Sequence, residues 1–191
     1  MKIGLFFGSF NPIHVGHLII AQGALNETDL DQVWMMVSPQ NPHKEKKTLL
    51  NEYDRLRMVE LAIGDNPRIM ASNVEFTLPK PSYTIDTLRH LKKHYPNTQF
   101  ALIMGEDNLT NFHKWKDFEH ILADYTIYCH PRNTDENSFR DRYPQVNMFN
   151  LNLLDISATK IREMVKAKKE IRYLVPDPVN QYIQKHGLYS Q

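Results

Sequence analysis

Two histidines, His14 and His17, lie in the run Gly8-Ser9-Phe10-Asn11-Pro12-Ile13-His14-Val15-Gly16-His17, between an apolar stretch and a segment of helical spacing. At i, i+3 on a first helical turn both imidazoles fall on one face, beside the free backbone amides that attract anions. Gly16 leaves room between the rings. A phosphate bound there would meet two ring N–H donors, and its charge would favour protonated rings around an ordinary pKa near 6.5. Neither GxGxxG nor a loop ending in Gly-Lys-Ser/Thr is present, which removes the dinucleotide fingerprint and the P-loop. Two other readings of the pair exist. The histidines could simply cap the helix, or they could ligate a metal. Zinc needs further Cys, His or carboxylate ligands, and none stands between them, so phosphate contact ranks above metal ligation and no metal-binding residue is assigned.

A second constellation is Ile156-Ser157-Ala158-Thr159-Lys160-Ile161-Arg162. Ser157 is a natural N-cap, Thr159 sits within the first turn, and Arg162 follows one turn on. Hydroxyls, amides and a guanidinium converge there, as holding the β and γ phosphates of a nucleotide would require. No Ser-His-Asp or Cys-His arrangement is evident. Cys129 is the only cysteine, at the end of an apolar run, and reads as a small buried hydrophobe rather than a nucleophile.

The elements that must position these groups alternate along the chain. Short β-prone runs recur at Ile3–Phe7, Val33–Val37, Phe100–Met104 and Tyr125–Cys129, with weaker ones near Arg68–Ala71 and Val146–Phe149. Helical spacing links Leu18, Ala21 and Leu25, then Leu56, Val59, Ala62 and Ile63, then Ile85, Leu88 and Leu91. Strands apolar at nearly every position imply a mainly parallel sheet covered by helices on both faces, an α/β, doubly wound, Rossmann-like architecture. Ligands then bind beyond the carboxyl ends of the strands, in the loops after Phe7, Val37 and Met104. Residues 151–191 read as a small C-terminal helical cap: a helix from Ser157, a turn through Val175-Pro176-Asp177-Pro178, and an amphipathic helix ending at Gly187. No linker or repeat divides the chain, so 1–191 reads as one domain.

Bulk properties exclude several function classes. The 191 residues carry 23 basic and 22 acidic side chains, a net charge of +1, and no long block of one sign, which gives no footprint for nucleic acid or for an anionic membrane. No stretch approaches the roughly 18 apolar residues of a membrane span, no signal peptide is recognisable, and a lone cysteine suits a reducing compartment. A cytoplasmic location is expected. Self-association into a homo-oligomer is neither required nor excluded.

With both motifs in view, GSFNPIHVGH resembles the HxGH signature of the nucleotidyltransferase superfamily, and ISATKIR resembles its ISSTxIR motif with Ala158 in place of the middle serine. Four further stretches are similar to bacterial nicotinate mononucleotide adenylyltransferases: Pro39-Gln40-Asn41-Pro42-His43-Lys44, Pro81 to Leu88, Met104-Gly105-Glu106-Asp107, and Phe112-His113-Lys114-Trp115. The resemblance implies transfer of AMP from ATP, with Mg²⁺ carried by the nucleotide, to nicotinate mononucleotide, giving nicotinic acid adenine dinucleotide and pyrophosphate in NAD biosynthesis. It casts His14 and His17 as catalytic. Gly8, Ser9, Phe10, Gly105, Asp107, Ser157, Thr159 and Arg162 would bind ATP, and Asn41, His43, Lys44, Thr84, Trp115 and Lys116 the mononucleotide. Lys116 departs from the tyrosine often found there. Read without the resemblance, Trp115 could be core, Asp107 and Thr84 could be helix caps, and Lys44 could be solvated surface. The competing functions are adenylyl transfer to nicotinamide mononucleotide or to phosphopantetheine, and a nucleotide-binding regulator that does no chemistry. A synthetase relative that binds RNA would need more length and a basic surface.

Overall fold

A computed structural model describes residues 1–40, 49–131, 141–151 and 154–190. Six strands form one sheet: β1 (Lys2–Gly8), β2 (Gln32–Val37), β3 (Ile69–Ser72), β4 (Gln99–Gly105), β5 (Thr126–His130) and β6 (Asn147–Met148). Their order is β3-β2-β1-β4-β5-β6, and each neighbouring pair runs parallel. All six expected strands are present. The order reverses between β1 and β4, which is the switch point where an open parallel sheet presents a crevice.

Strand pleating sends alternate residues to opposite faces, and the core divides accordingly. Phe6, Val33, Met35, Ala101, Ile103 and Tyr128 point to one side, where α1 (Val15–Glu27) and α2 (Glu52–Ile63) cover them. Ile3, Leu5, Met36, Phe100, Leu102 and Cys129 point to the other, against α3 (Thr84–His94), α4 (Glu106–Thr110) and α5 (Phe118–Asp124). Because both faces are buried, the strands carry apolar residues on consecutive positions rather than on alternate ones. Each fully buried large aliphatic side chain contributes roughly 1.5–3 kcal/mol. The doubly wound fold read from the sequence is therefore the observed one.

The C-terminal segment holds α6 (Ala158–Lys166) and α7 (Asp177–Lys185). Ser157 is the N-cap of α6, as its type and position predict, and its Oγ accepts from the Lys160 N–H at 3.2 Å. Ile161, Ile171, Val175, Val179 and Ile183 join the same buried cluster as α1 and α2, so this cap completes one face of the core. Gly23 lets it come close: a Cβ there would stand 2.1 Å from the Leu151 side chain. The cap also reaches α1 through the backbone, where the Val15 N–H donates to the Leu174 carbonyl at 3.0 Å.

Candidate active site

The loop leaving β1 turns sharply at Phe10, whose φ of 43° is left-handed, an arrangement that costs of order 1–3 kcal/mol for a side-chain-bearing residue. Its ring is buried and sits edge-on to His17 with centroids 5.1 Å apart. Gly8 makes this possible, because a Cβ there would lie 2.7 Å from the Phe10 ring. Phe10 thus supports the histidines from behind, and Gly8 lies at the edge of the open crevice.

His14 is the N-cap of α1 and is only 6% exposed, while His17 occupies the third helical position and is half-buried. The imidazoles stack with centroids 3.7 Å apart at 27°. The His14 backbone N–H donates to His17 Nδ1 at 3.2 Å. With Nδ1 accepting that bond, Nε2 is the ring nitrogen of His17 left to donate to a ligand. Gly16 does keep space for the pair: a Cβ would meet His14 Nδ1 at 3.0 Å and Cε1 at 3.2 Å. Neither α1 nor α6 has an acidic residue in its first turn, whereas α2, α3 and α4 all do. The two helix starts at this loop therefore keep the positive end of their dipoles uncompensated, which suits an anion.

Arg162 brings α6 to the same loop, donating from Nη1 to the Asn11 carbonyl at 2.8 Å and from Nη2 to Thr159 Oγ1 at 3.2 Å. Asn11 is buried, and its Oδ1 accepts from the Tyr189 hydroxyl at 2.8 Å and from the Leu50 N–H at 3.4 Å. Beneath the loop lies Arg55, which is fully buried and makes four bonds to carbonyls: Ser9 at 2.6 Å, Ser38 at 2.8 Å, Leu50 at 3.0 Å and Pro39 at 3.2 Å. The loops after β1 and β2 are thus held by one guanidinium. Burial lowers its pKa from the usual arginine value. Ser9 contributes its carbonyl to this anchor.

Beside Gly8 opens a cavity of about 380 Å³ at the carboxyl ends of β1, β2 and β4, where the fold class places a ligand. Thr84, Asp107, Trp115 and Lys116 line it, together with Glu75 and Tyr83. The helix caps are Tyr83 for α3 and Gly105 for α4, so Thr84 and Asp107 are not caps and stand in the first turns facing the cavity. Gly105 closes β4 where a Cβ would come within 3.1 Å of the His130 ring. Trp115 packs on Phe112 with ring centroids 5.4 Å apart and also lines the cavity. The Lys116 ammonium bonds to Asp86 at 2.8 Å and lies 5.0 Å from the Tyr83 ring centroid. Asn41, His43 and Lys44 lie outside the described residues. The buried Cys129 thiol is pushed up to about 12 by desolvation, which removes it from nucleophilic chemistry. Among the described residues no three His, Cys, Asp or Glu side chains gather to hold a metal.

The spacing of residues left Arg55, Glu75 and Tyr189 unassigned. Arg55 sits in an ordinary amphipathic helix and Tyr189 in a polar C-terminal stretch, so no local pattern marks either of them.

Comparison with known proteins gives a consistent answer. Residues 5–164 match the cytidylyltransferase-like family. A probable nicotinate-nucleotide adenylyltransferase of Cytophaga hutchinsonii is 54% identical over 190 residues, covering 100% of this chain and 99% of the relative. One from Flavobacterium psychrophilum is 50% identical over the full length of both chains. Among solved structures, the Plasmodium falciparum nicotinic acid mononucleotide adenylyltransferase complexed with NaAD superposes with a TM-score of 0.84 at 20% identity, covering 98% of this chain and 97% of that one. The same enzyme complexed with APC gives 0.83. At that identity the structural likeness speaks for the fold.

Proposed function

The chain belongs to the nicotinate-nucleotide adenylyltransferases of the cytidylyltransferase-like family, and from that premise we propose how its own residues carry the reaction. It transfers AMP from ATP to nicotinate mononucleotide, releasing pyrophosphate. A phosphate oxygen of the mononucleotide attacks the α-phosphorus of ATP, a P–O bond forms, and the bond to the β,γ-pyrophosphate breaks with its electron pair. The nucleophile is already ionised at neutral pH, so no strong general base is needed. Catalysis reduces to positioning two anions and offsetting their repulsion.

His14 and His17 hold the triphosphate oxygens at the mouth of α1, with His17 donating from Nε2. The α6 N-terminus, Ser157, Thr159 and Arg162 receive the β and γ phosphates. Gly8, Ser9 and Phe10 shape the adenylate side, Phe10 through its backbone, with Gly105 and Asp107 toward the riboses. Thr84, Trp115 and Lys116 form the pyridine side of the cavity, and the motif resemblance adds Asn41, His43 and Lys44 as contacts of the mononucleotide. A magnesium ion bound with ATP would supply charge neutralisation on the phosphates. The chain works as one nucleotidyltransferase domain in the cytoplasm on small-molecule substrates. No helix among the described residues is long and apolar enough to cross a membrane.

The observation that carries this reading is the stacked imidazole pair, oriented by a backbone amide, on a loop that α6 also grips through Arg162. The test is incubation with ATP, Mg²⁺ and, separately, nicotinate mononucleotide, nicotinamide mononucleotide or phosphopantetheine, with the products resolved by chromatography. Nicotinic acid adenine dinucleotide should dominate. Equal use of the acid and amide acceptors overturns the proposed carboxylate recognition, and ATP binding without pyrophosphate release favours a regulator.

A further inference from the structure

One buried ionisable group touching the acceptor cavity has no part in the mechanism above. Glu75 lies in a 3-10 turn, Val74–Thr77, immediately after β3, and is 2% exposed. Its Oε1 accepts from the Thr87 hydroxyl at 2.7 Å and its Oε2 from the Ser82 hydroxyl at 3.1 Å; the Ser38 hydroxyl is a third partner. Among the described residues no cation pairs with it. A buried carboxyl held by hydroxyls alone is an expensive way to fill space, since an apolar side chain of similar volume would avoid the desolvation cost. The three hydroxyls come from three separate segments. Ser38 follows β2, Ser82 lies in the loop before α3, and Thr87 is in the first turn of α3. Ser38 and Ser82 line the cavity with Glu75 itself, and Tyr83 and Thr84 lie between Ser82 and Thr87 on its wall.

Resting on the function proposed above, we propose that Glu75 is a positioning residue for the mononucleotide: its carboxyl oxygens gather Ser38, Ser82 and Thr87 and so hold the Tyr83–Thr84 wall at the spacing the acceptor requires. It acts on acceptor binding and leaves ATP alone, because none of its partners lies on the His14 loop or on α6. Glutamine in its place keeps the shape but turns one acceptor into a donor. Thr87 has an alternative acceptor in the Tyr83 carbonyl at 3.4 Å, whereas no second acceptor of the Ser82 hydroxyl is found among the described residues.

The experiment is steady-state kinetics of the full chain with ATP, Mg²⁺ and nicotinate mononucleotide, comparing wild type with Glu75→Gln. The variant should raise the acceptor KM about tenfold, with the ATP KM unchanged and kcat altered less than twofold. An unchanged acceptor KM, or equal rises in both KM values, overturns the assignment, since a general packing defect would disturb both substrates. Should Glu75→Gln fail to fold, Ser82→Ala and Thr87→Val decide the matter by the same split, each expected to raise the acceptor KM two- to fivefold. A wild type that does not use nicotinate mononucleotide overturns the functional reading itself. A wild type that does, beside a Glu75→Gln variant that binds the acceptor normally, overturns only the role of Glu75.

Discussion

Replacing Gly16 by alanine probes how tightly the imidazole pair must be placed. Gly16 does not have a positive φ, so an alanine there is not conformationally strained, and Gly→Ala in a helix ordinarily gains about 0.5–1 kcal/mol. The added methyl, however, would stand 3.0 Å from His14 Nδ1 and 3.2 Å from Cε1, against an unstrained separation of about 3.5–4.0 Å. His14 must therefore retreat by roughly half an ångström. It is buried and stacked on His17 at 3.7 Å, so the displacement passes to the second ring. A misplacement of about 1 Å at a reacting centre costs on the order of 10² in rate, so about tenfold is expected here, close to 1.4 kcal/mol of barrier. Overpacking costs about 1–3 kcal/mol, partly offset by the helix gain, which leaves the variant folded and at most about 2.5 kcal/mol less stable. Pyrophosphate release at saturating substrates measures kcat, and thermal unfolding measures the fold. A Gly16→Ala protein with kcat within twofold of wild type and normal unfolding would refute the requirement for a fixed imidazole position.

Other outcomes follow from the same geometry. His17→Ala should lower kcat by on the order of 10² while unfolding stays cooperative, since a donor to the developing charge is lost; retained turnover rejects its role. Tyr189→Phe removes the 2.8 Å bond from the tyrosine hydroxyl to Asn11 Oδ1, which should cost about 1 kcal/mol and lower Tm by about 2–4 °C in calorimetry. Desolvation raises the Glu75 pKa above 4.5, so its protonated form favours folding below that pH and the contribution is lost as pH rises through the folded value. Wild type should therefore lose stability relative to Glu75→Gln as pH rises from 4.5, in denaturant titrations, and a widening gap in the opposite sense would contradict the burial argument. Cys129, buried with its pKa pushed up to about 12, should resist iodoacetamide at pH 8 in the native protein and react once the chain is denatured.

Much of the frame was legible because it is local. Strand runs such as Phe100–Met104 need only their own β-branched and apolar residues to announce themselves, and Ser157 caps α6 by the type of one side chain. The two histidines could be placed together because three residues on a first helical turn fix their relation before any packing occurs. Which ring nitrogen of His17 is engaged was not legible, because the backbone N–H that occupies its Nδ1 depends on the extended entry at His14.

What only the tertiary structure decided is how buried polar groups find partners. Asn11 is met by Arg162 and Tyr189, 151 and 178 residues away in the chain, and Arg55 collects carbonyls from the loops after β1 and β2. Glu75 gathers hydroxyls from three segments that no periodicity links. A buried donor or acceptor must be satisfied, but the requirement names no partner; the partner is whatever chain closure brings within about 3 Å. The sequence by itself therefore determined which elements form and which residues are candidates for the chemistry, since periodicity and capping act within a few positions. The packing of sheet, helices and C-terminal cap determined which groups hold that chemistry in place, because desolvation is set by neighbours distant in sequence.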